Sequence, residues 1–340
     1  MSLYRCASTC RLRLHAGLTR LADQSSCSSA ACSIPPRLGY VRRPYSSQHE
    51  GDPRLEDLDT EIHDKYALIR EHYATPKHPI VLAHGLLGFA ELSLAGSWLP
   101  PIHYWRGITE ALRANGIEVI TATVPPSGSI EQRAAKLGEY IAEVAQGKDV
   151  NIIAHSMGGL DARYMISQLQ PNNVKVCSLT TVASPHWGSA FADFLLDEIG
   201  PERLPHFYKF IEGVGMDTGA FQQLTQKYMT NTFNAKTPDD PSVRYFSYGA
   251  RMDVPPLFSP FRLSHRIMTQ NEGPNDGLVS VASSKWGNYK GTLVGVSHLD
   301  LINWTNRFRF TMRKLMGQGP TFNAIAFYLD IADMLAKEDL

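Results

Sequence analysis

Continuous apolar runs of four to eight residues recur along the chain, separated by segments whose apolar positions fall three or four apart. The runs at Pro79–Ala83, Glu118–Val124, Val150–Ala154, Val176–Ala183, Val243–Tyr248 and Gly291–Ser297 read as strands, because each is short, rich in β-branched residues and bounded by turn formers. Apolar residues that do not alternate with polar ones mark strands buried on both faces. Between them, helical spacing runs from Trp98 to about Asn115, where Gly116 stops it. Ser129-Ile130-Glu131-Gln132 has the form of a capping box, and the helix it opens extends to about Gln146 before Gly147. Gly159–Gln168 reads as a further helix, and Asp300 to about Lys314 and Thr321–Lys337 as two amphipathic ones. Strands alternating with helices predict an α/β fold with a mostly parallel sheet covered on both faces. No internal repeat interrupts this order.

Two segments break the alternation. From Glu50 to about Thr75 the chain is acidic, with Ile62, Tyr66, Ile69 and Tyr73 at helical spacing. This predicts a lead-in helix or linker over 48–75 that packs on a catalytic domain spanning 76–340. Residues 189–240 carry scattered apolar residues, Phe191, Phe194, Leu195, Phe207, Phe210 and Phe221 among them, without a regular period. A segment that long inside an α/β domain, leaving a strand at the edge where ligands bind, predicts a lid or cap. Its plainer reading is a set of extra helices that enlarge the core.

Charge changes the picture of the first segment. The whole chain of 340 residues balances 33 Lys and Arg against 33 Asp and Glu, which argues against a nucleic-acid partner. Yet Met1–Ser47 holds seven Arg, no Lys and one acid, Asp23, for a charge of +6, so the rest carries −6. The segment is also rich in Ser and Ala, and its Arg residues interrupt any run apolar enough for a secretory signal. This is the composition of a mitochondrial transit peptide, ending near Arg43 and a Tyr45/Ser46 junction. Four of the five cysteines fall in it, which leaves Cys177 alone afterwards. No stretch has the ~18 consecutive apolar residues of a membrane-spanning helix.

The most specific chemistry lies in Ala154-His155-Ser156-Met157-Gly158, between a strand and a helix. This is the nucleophile elbow, G-x-S-x-G, with Ala at the first small position. The turn is so tight that side chains two before and two after the serine would collide with neighbouring elements. Ser156 is the expected nucleophile. His84-Gly85-Leu86 closes the first strand, and such a turn aims a backbone N–H at the nucleophile, so Leu86 and Met157 are the expected oxyanion-hole donors. In this fold an acid and then a histidine follow the serine. Asp276, in Asn275-Asp276-Gly277, and His298, after the last strand, take those places. By position alone Asp253 rivals Asp276, and His265 is expected in the same loop, where it could be at the surface.

HGLLG, VNIIAHSMGGLDARY, SLTTVASPHWGSAFADF, NDGLVS and VSHLDLIN occur in this order over about residues 78–304. Together they resemble the α/β-hydrolase lipases typified by the Pseudomonas and Burkholderia triacylglycerol lipases; with the transit peptide, the whole resembles fungal mitochondrial members of that group. The resemblance implies a triad of Ser156, Asp276 and His298 and places Asp276 ahead of Asp253. It implies oxyanion donors at Leu86 and Met157. It also implies a structural calcium ion near the histidine, held by Asp300 and, as the nearest candidate for the second ligand, Asp253. Where the family has a Gln six residues after the histidine, this chain has Trp304. The plainer reading of Asp300 is a carboxylate that anchors its own loop. The family's disulfide has no counterpart, since Cys177 stands alone, and His186 in the SPHWG block is expected to be structural.

The function these features imply is hydrolysis of carboxylic esters of triacylglycerols and related acylglycerols by acyl transfer, with no cofactor required and a membrane or droplet surface as the partner. The same parts would serve a mitochondrial phospholipase or lysophospholipase, or a broad carboxylesterase. A non-enzymatic acyl-lipid binding module is the alternative from another class, and the presence of every triad member weighs against it.

Overall fold

A computed structural model of the protein describes residues 61–86, 104–197, 219–304 (except 258 and 260) and 322–340. The transit-peptide expectation for 1–47 lies outside these residues, as does the middle of the 189–240 insertion. Seven strands form one sheet: β1 Glu61–Ile62, β2 Ile80–Ala83, β3 Val119–Thr121, β4 Asp149–His155, β5 Lys175–Val182, β6 Arg244–Arg251 and β7 Asn288–Val294. Their order is β1-β7-β6-β5-β4-β2-β3, and every neighbouring pair is parallel.

The apolar runs explain the sheet's burial. Side chains alternate between the two faces of a strand. Ile80 and Leu82 of β2, with Ile153, Val182 and Tyr248, join one core; Val81 and Ala83, with Val150, Ile152 and Ala154, join the other. Helices α1 (Ile108–Ala114) and α5 (Ala324–Lys337) cover the first face through Ile108, Leu112, Phe327, Tyr328 and Ile331. Helices α2 (Ile130–Ala145) and α3 (Gly158–Tyr164) cover the second through Ala134, Leu137, Ile141 and Ala162. Helix α4 (Arg262–Asn271) lies beyond β6. The capping box forms as expected: Ser129 Oγ accepts from the Gln132 N–H, and Gln132 Oε1 accepts from the Ser129 N–H.

The lead-in helix does not form over 61–75. Ile62 belongs instead to β1, paired beside β7; a 3-10 turn spans Asp64–Tyr66; and bends follow. Tyr66 is buried, whereas Ile69 is exposed, so the helical spacing has no helix behind it. Tertiary contacts hold the segment: Tyr66 Oη donates to Asp330 Oδ2 at 3.0 Å and the Ala74 N–H donates to Asp333 Oδ1 at 2.9 Å. Three further expectations are corrected. The helix expected from Trp98 begins, among the described residues, at Ile108. The one expected over Gly159–Gln168 does form, as α3 continued by a π turn over Met165–Leu169. The one expected from Asp300 to about Lys314 opens instead with a 3-10 turn, Asp300–Ile302, ended by Asn303 at φ 64°, and its remainder from 305 lies outside the described residues. The stretch containing His265 is helix α4. No helix among the described residues is long and apolar enough to cross a membrane.

Candidate active site

Strand β4 ends at His155, and Ser156 follows at φ 56°, a left-handed conformation that a non-glycine residue adopts at a cost of about 1–3 kcal/mol. Two backbone bonds impose it: the Ser156 N–H donates to the Val182 carbonyl of β5 at 3.0 Å, and the Gly159 N–H donates to the Ser156 carbonyl at 3.1 Å, opening α3. The small residues are sterically required. A Cβ on Gly158 would lie 2.7 and 2.8 Å from the carbonyl oxygens of His84 and Ala83, and one on Gly159 would overlap Ser184. Ala154 is fully buried in the sheet. A Cβ on Gly85 would lie 2.7 Å from Ser156 Cβ. The turn after β2 therefore rests directly on Ser156, and Leu86 follows it into the cavity above the serine. Met157 is the N-cap of α3.

Asp276 and His298 come together. Asp276 Oδ2 lies 2.7 Å from His298 Nδ1, and the His298 N–H donates to the Asp276 carbonyl at 2.9 Å. The carboxylate is fully buried, and its other oxygen accepts the N–H groups of Leu278 (3.0 Å) and Val279 (2.8 Å). A carboxylate so placed accepts a proton-bearing Nδ1 and leaves Nε2 as the basic nitrogen of the ring. The rivals are not so arranged: Asp253 is exposed, and His265 is buried on α4, its pKa lowered by desolvation and then by Arg262.

Ser156 and His298 open into one cavity of about 600 Å³. Its walls come from the turn after β2 (Leu86), from the insertion (Phe191, Leu195, Phe221, Leu224) and from the chain after His298 (Leu299, Trp304). No Lys, Arg, Asp or Glu lines it among the described residues. Elsewhere in the described insertion, Ala220, Met229 and Phe233 are buried and pack against Met157 and Leu160 of the elbow helix. One described portion of the insertion walls the cavity and another extends the core.

Several positioning residues carried no local sequence signal. Tyr104 Oη lies 2.7 Å from His155 Nδ1 and accepts the Gly85 N–H at 3.1 Å, tying the turn after β2 to the elbow. The His155 ring centroid stands 4.5 Å from that of His298. Complete burial, and then the neighbouring His298, lower the His155 pKa well below the ordinary histidine value, so it stays neutral and adds no repulsion to a charged His298. Beneath the elbow, Arg133 of α2 and Asp161 of α3 form a buried ion pair at 2.8 Å, and Arg133 Nη2 also donates to the His84 carbonyl at 2.9 Å. Burial pushes the Asp161 carboxyl up, to about 6, against the pull of Arg133. His84 is held neutral, its pKa lowered to about 4 by burial and then by Arg133. His186 sits in a structural network: it is buried, 2.9 Å from Thr181 Oγ1 and 3.3 Å from Arg163, and stacked on Trp286.

Asp300 Oδ2 accepts the N–H (2.9 Å) and the hydroxyl (2.7 Å) of Ser297, which fixes the residue before His298. Calcium takes six to eight oxygens. Of the two carboxylates, Asp300 is buried and engaged by its own turn and Asp253 is exposed, so further oxygens would have to complete such a set.

The family model described as "Putative serine esterase (DUF676)" matches residues 74–285. A protein of Saccharomyces cerevisiae named "Triacylglycerol lipase 2" is 36% identical over 316 residues, covering 79% of this chain and 94% of its own length. A "Triacylglycerol lipase" of Vibrio cholerae is 29% identical over 271 residues, 70% of this chain and 83% of its own. Among solved structures, a Staphylococcus hyicus lipase superposes with a TM-score of 0.57 at 20% identity, over 79% of this chain and 98% of that one. A metagenomic carboxyl esterase superposes with a TM-score of 0.60 at 19% identity, over 80% and 79%. These superpositions show the α/β-hydrolase fold. With more than half of its length matched by the family model, the chain belongs to the serine esterase family and is a carboxylic ester hydrolase.

Proposed function

We propose that the protein is a serine lipase acting on triacylglycerols and related acylglycerols through Ser156, His298 and Asp276. One observation carries this reading: the strained Ser156 opens into a cavity, apolar and uncharged among its described lining residues, shared with a histidine held 2.7 Å from a buried carboxylate. His298 Nε2 takes the Ser156 hydroxyl proton as Oγ attacks the ester carbonyl. The Leu86 and Met157 N–H groups receive the oxyanion, each worth typically 10²–10³ in rate. Asp276 holds the ring and stabilises its imidazolium. His298 then protonates the leaving alcohol, the Ser156 acyl ester remains, and a water deprotonated by His298 releases the fatty acid. The reaction needs no further group.

The cavity lining favours a neutral lipid. A phosphodiester headgroup calls for a cation or a fork of donors, and the described lining holds no Lys or Arg. The names of the yeast and Vibrio relatives agree with this choice. Turnover of triacylglycerol emulsions, phospholipids and short p-nitrophenyl esters by wild type and Ser156→Ala tests the reading. The expected result is highest turnover on triacylglycerol and loss of all ester turnover in the variant. Full activity in Ser156→Ala would overturn the triad; preference for phospholipid would overturn the substrate. Location in the mitochondrion is part of the proposal and rests on the composition of Met1–Ser47. N-terminal sequencing of the protein from cells checks it, with the mature chain expected to begin near Ser46.

A further inference from the structure

We propose that His78, Asp149 and Cys177 form a binding site for one zinc-class divalent cation at the amino edge of the sheet. Each residue offers one ligand atom, and the three atoms lie within 4.8 Å of one another at half-buried positions. They come from three neighbouring stretches: His78 just ahead of β2, Asp149 at the start of β4, and Cys177 in β5. Pairing and parity bring them to one face. Ile80 pairs with Asn151, so His78 and Asp149, each two residues earlier, point with them to the same side. Between β4 and β5 the register shifts: Val150 faces Val176 and Asn151 faces Ser178, so Cys177 is the extra residue of a β-bulge. Bulges re-aim a side chain, and this one puts a thiol beside a carboxylate and an imidazole.

The donor set selects the ion. One sulfur, one imidazole nitrogen and one carboxylate oxygen suit tetrahedral zinc, with bonds near 2.3, 2.0 and 2.1 Å and a fourth position for water. Hard cations such as magnesium and calcium, which want oxygen alone, are disfavoured by the thiol. On binding, Cys177 gives its proton to solvent and coordinates as thiolate, so charge is conserved without a redox partner. Asp149 is also paired with Lys175, a 73% exposed side chain that competes with the ion for the carboxylate and can swing into water. The site stands apart from the ester chemistry. Asp149 begins the strand whose other end leads into Ser156, about 23 Å away for seven residues at about 3.3 Å each. A cation here would stitch β2, β4 and β5 together beneath the elbow, in a structural or regulatory role.

The test uses the full-length chain carrying Cys6→Ser, Cys10→Ser, Cys27→Ser and Cys32→Ser, so that Cys177 is the sole thiol. Titration with Co²⁺ should develop a thiolate-to-cobalt charge-transfer band that saturates at one equivalent and is displaced by Zn²⁺. The band should vanish in Cys177→Ser. Affinity should fall about tenfold or more in His78→Ala, since even outer-shell partners of a metal ligand are worth about 10–100-fold, and rise in Lys175→Met. Zn²⁺ should also raise the melting temperature of the parent and not of Cys177→Ser. Near-ultraviolet circular dichroism reports that each variant is folded; should Cys177→Ser fail to fold, His78→Ala carries the test. Absence of a saturable band, survival of the band in Cys177→Ser, or indifference to His78→Ala would each overturn the site.

Discussion

At the residue scale, the tautomer of one histidine is set by one carboxylate. Asp276 accepts His298 Nδ1 and two backbone N–H groups, so Asp276→Asn would present an amide where the ring needs an acceptor. The expected loss in kcat is about 10⁴-fold with little change in fold, measured on a soluble ester, because the wrong nitrogen then carries the proton. Tyr104 acts one step further out. Its hydroxyl joins the Gly85 N–H to His155 Nδ1, so Tyr104→Phe leaves both without that partner. An orphaned buried polar group costs about 1–3 kcal/mol. The variant should melt earlier and lose kcat more than KM, since the Gly85 turn also positions Leu86; unchanged kcat would mean the hydroxyl serves stability alone. The elbow and the order of acid and histidine were legible in the sequence, because a tight turn demands small residues at fixed offsets. Tyr104, and the Arg133–Asp161 pair beneath the elbow, were not. Their partners lie 51 and 28 residues away, and only the packing of α2 against α3 brings the latter together.

At the scale of elements, six strands were legible because a strand buried on both faces must be apolar throughout. The seventh was not. Two residues, Glu61 and Ile62, become a strand only because β7 offers an edge. The same segment shows why spacing misled: Tyr66 is buried by a hydrogen bond to α5 and Ile69 faces water, so the period came without a common face. Charge also ties the segment to α5. Asp330 and Asp333 of α5 pair with Lys65 and Arg70, and Asp333 takes the Ala74 N–H. Burial opposes ionisation of Asp333, but the Ala74 N–H, Lys337 and Arg70 outweigh it and hold its pKa down at about 2. A depressed carboxyl stabilises the fold above its unfolded pKa near 4 and stops doing so as pH falls toward 2. Asp333→Asn should therefore cost about 2 kcal/mol at neutral pH. The gap between variant and wild type in urea unfolding should narrow from pH 4 downward; a gap that widens in acid would refute the clamp.

At the scale of the molecule, the sheet's carboxyl edge carries the proposed ester chemistry, and the charge of the chain is divided along its length. Residues up to Ser47 carry +6 and the remainder −6. The cavity above Ser156 is lined by Phe191, Leu195, Phe221 and Leu224 from the insertion and is uncharged among its described residues. An enzyme of net negative charge gains no general attraction to an anionic lipid surface, so contact with lipid has to rest on apolar burial, which salt does not screen. The basic segment behaves in the opposite way, since clustered arginines near an anionic surface are worth about 1 kcal/mol each and lose that attraction beyond a Debye length. The full-length chain should consequently sediment with anionic vesicles at low salt and release at high salt. Residues 48–340 should bind neutral triacylglycerol emulsions equally well at both. Their turnover of an ester should rise as it passes from monomers to emulsion, because the apolar wall from the insertion then has acyl chains to meet. Salt-sensitive binding by residues 48–340, or equal turnover of monomeric and emulsified ester, would remove the apolar wall from the account of how this enzyme reaches its lipid.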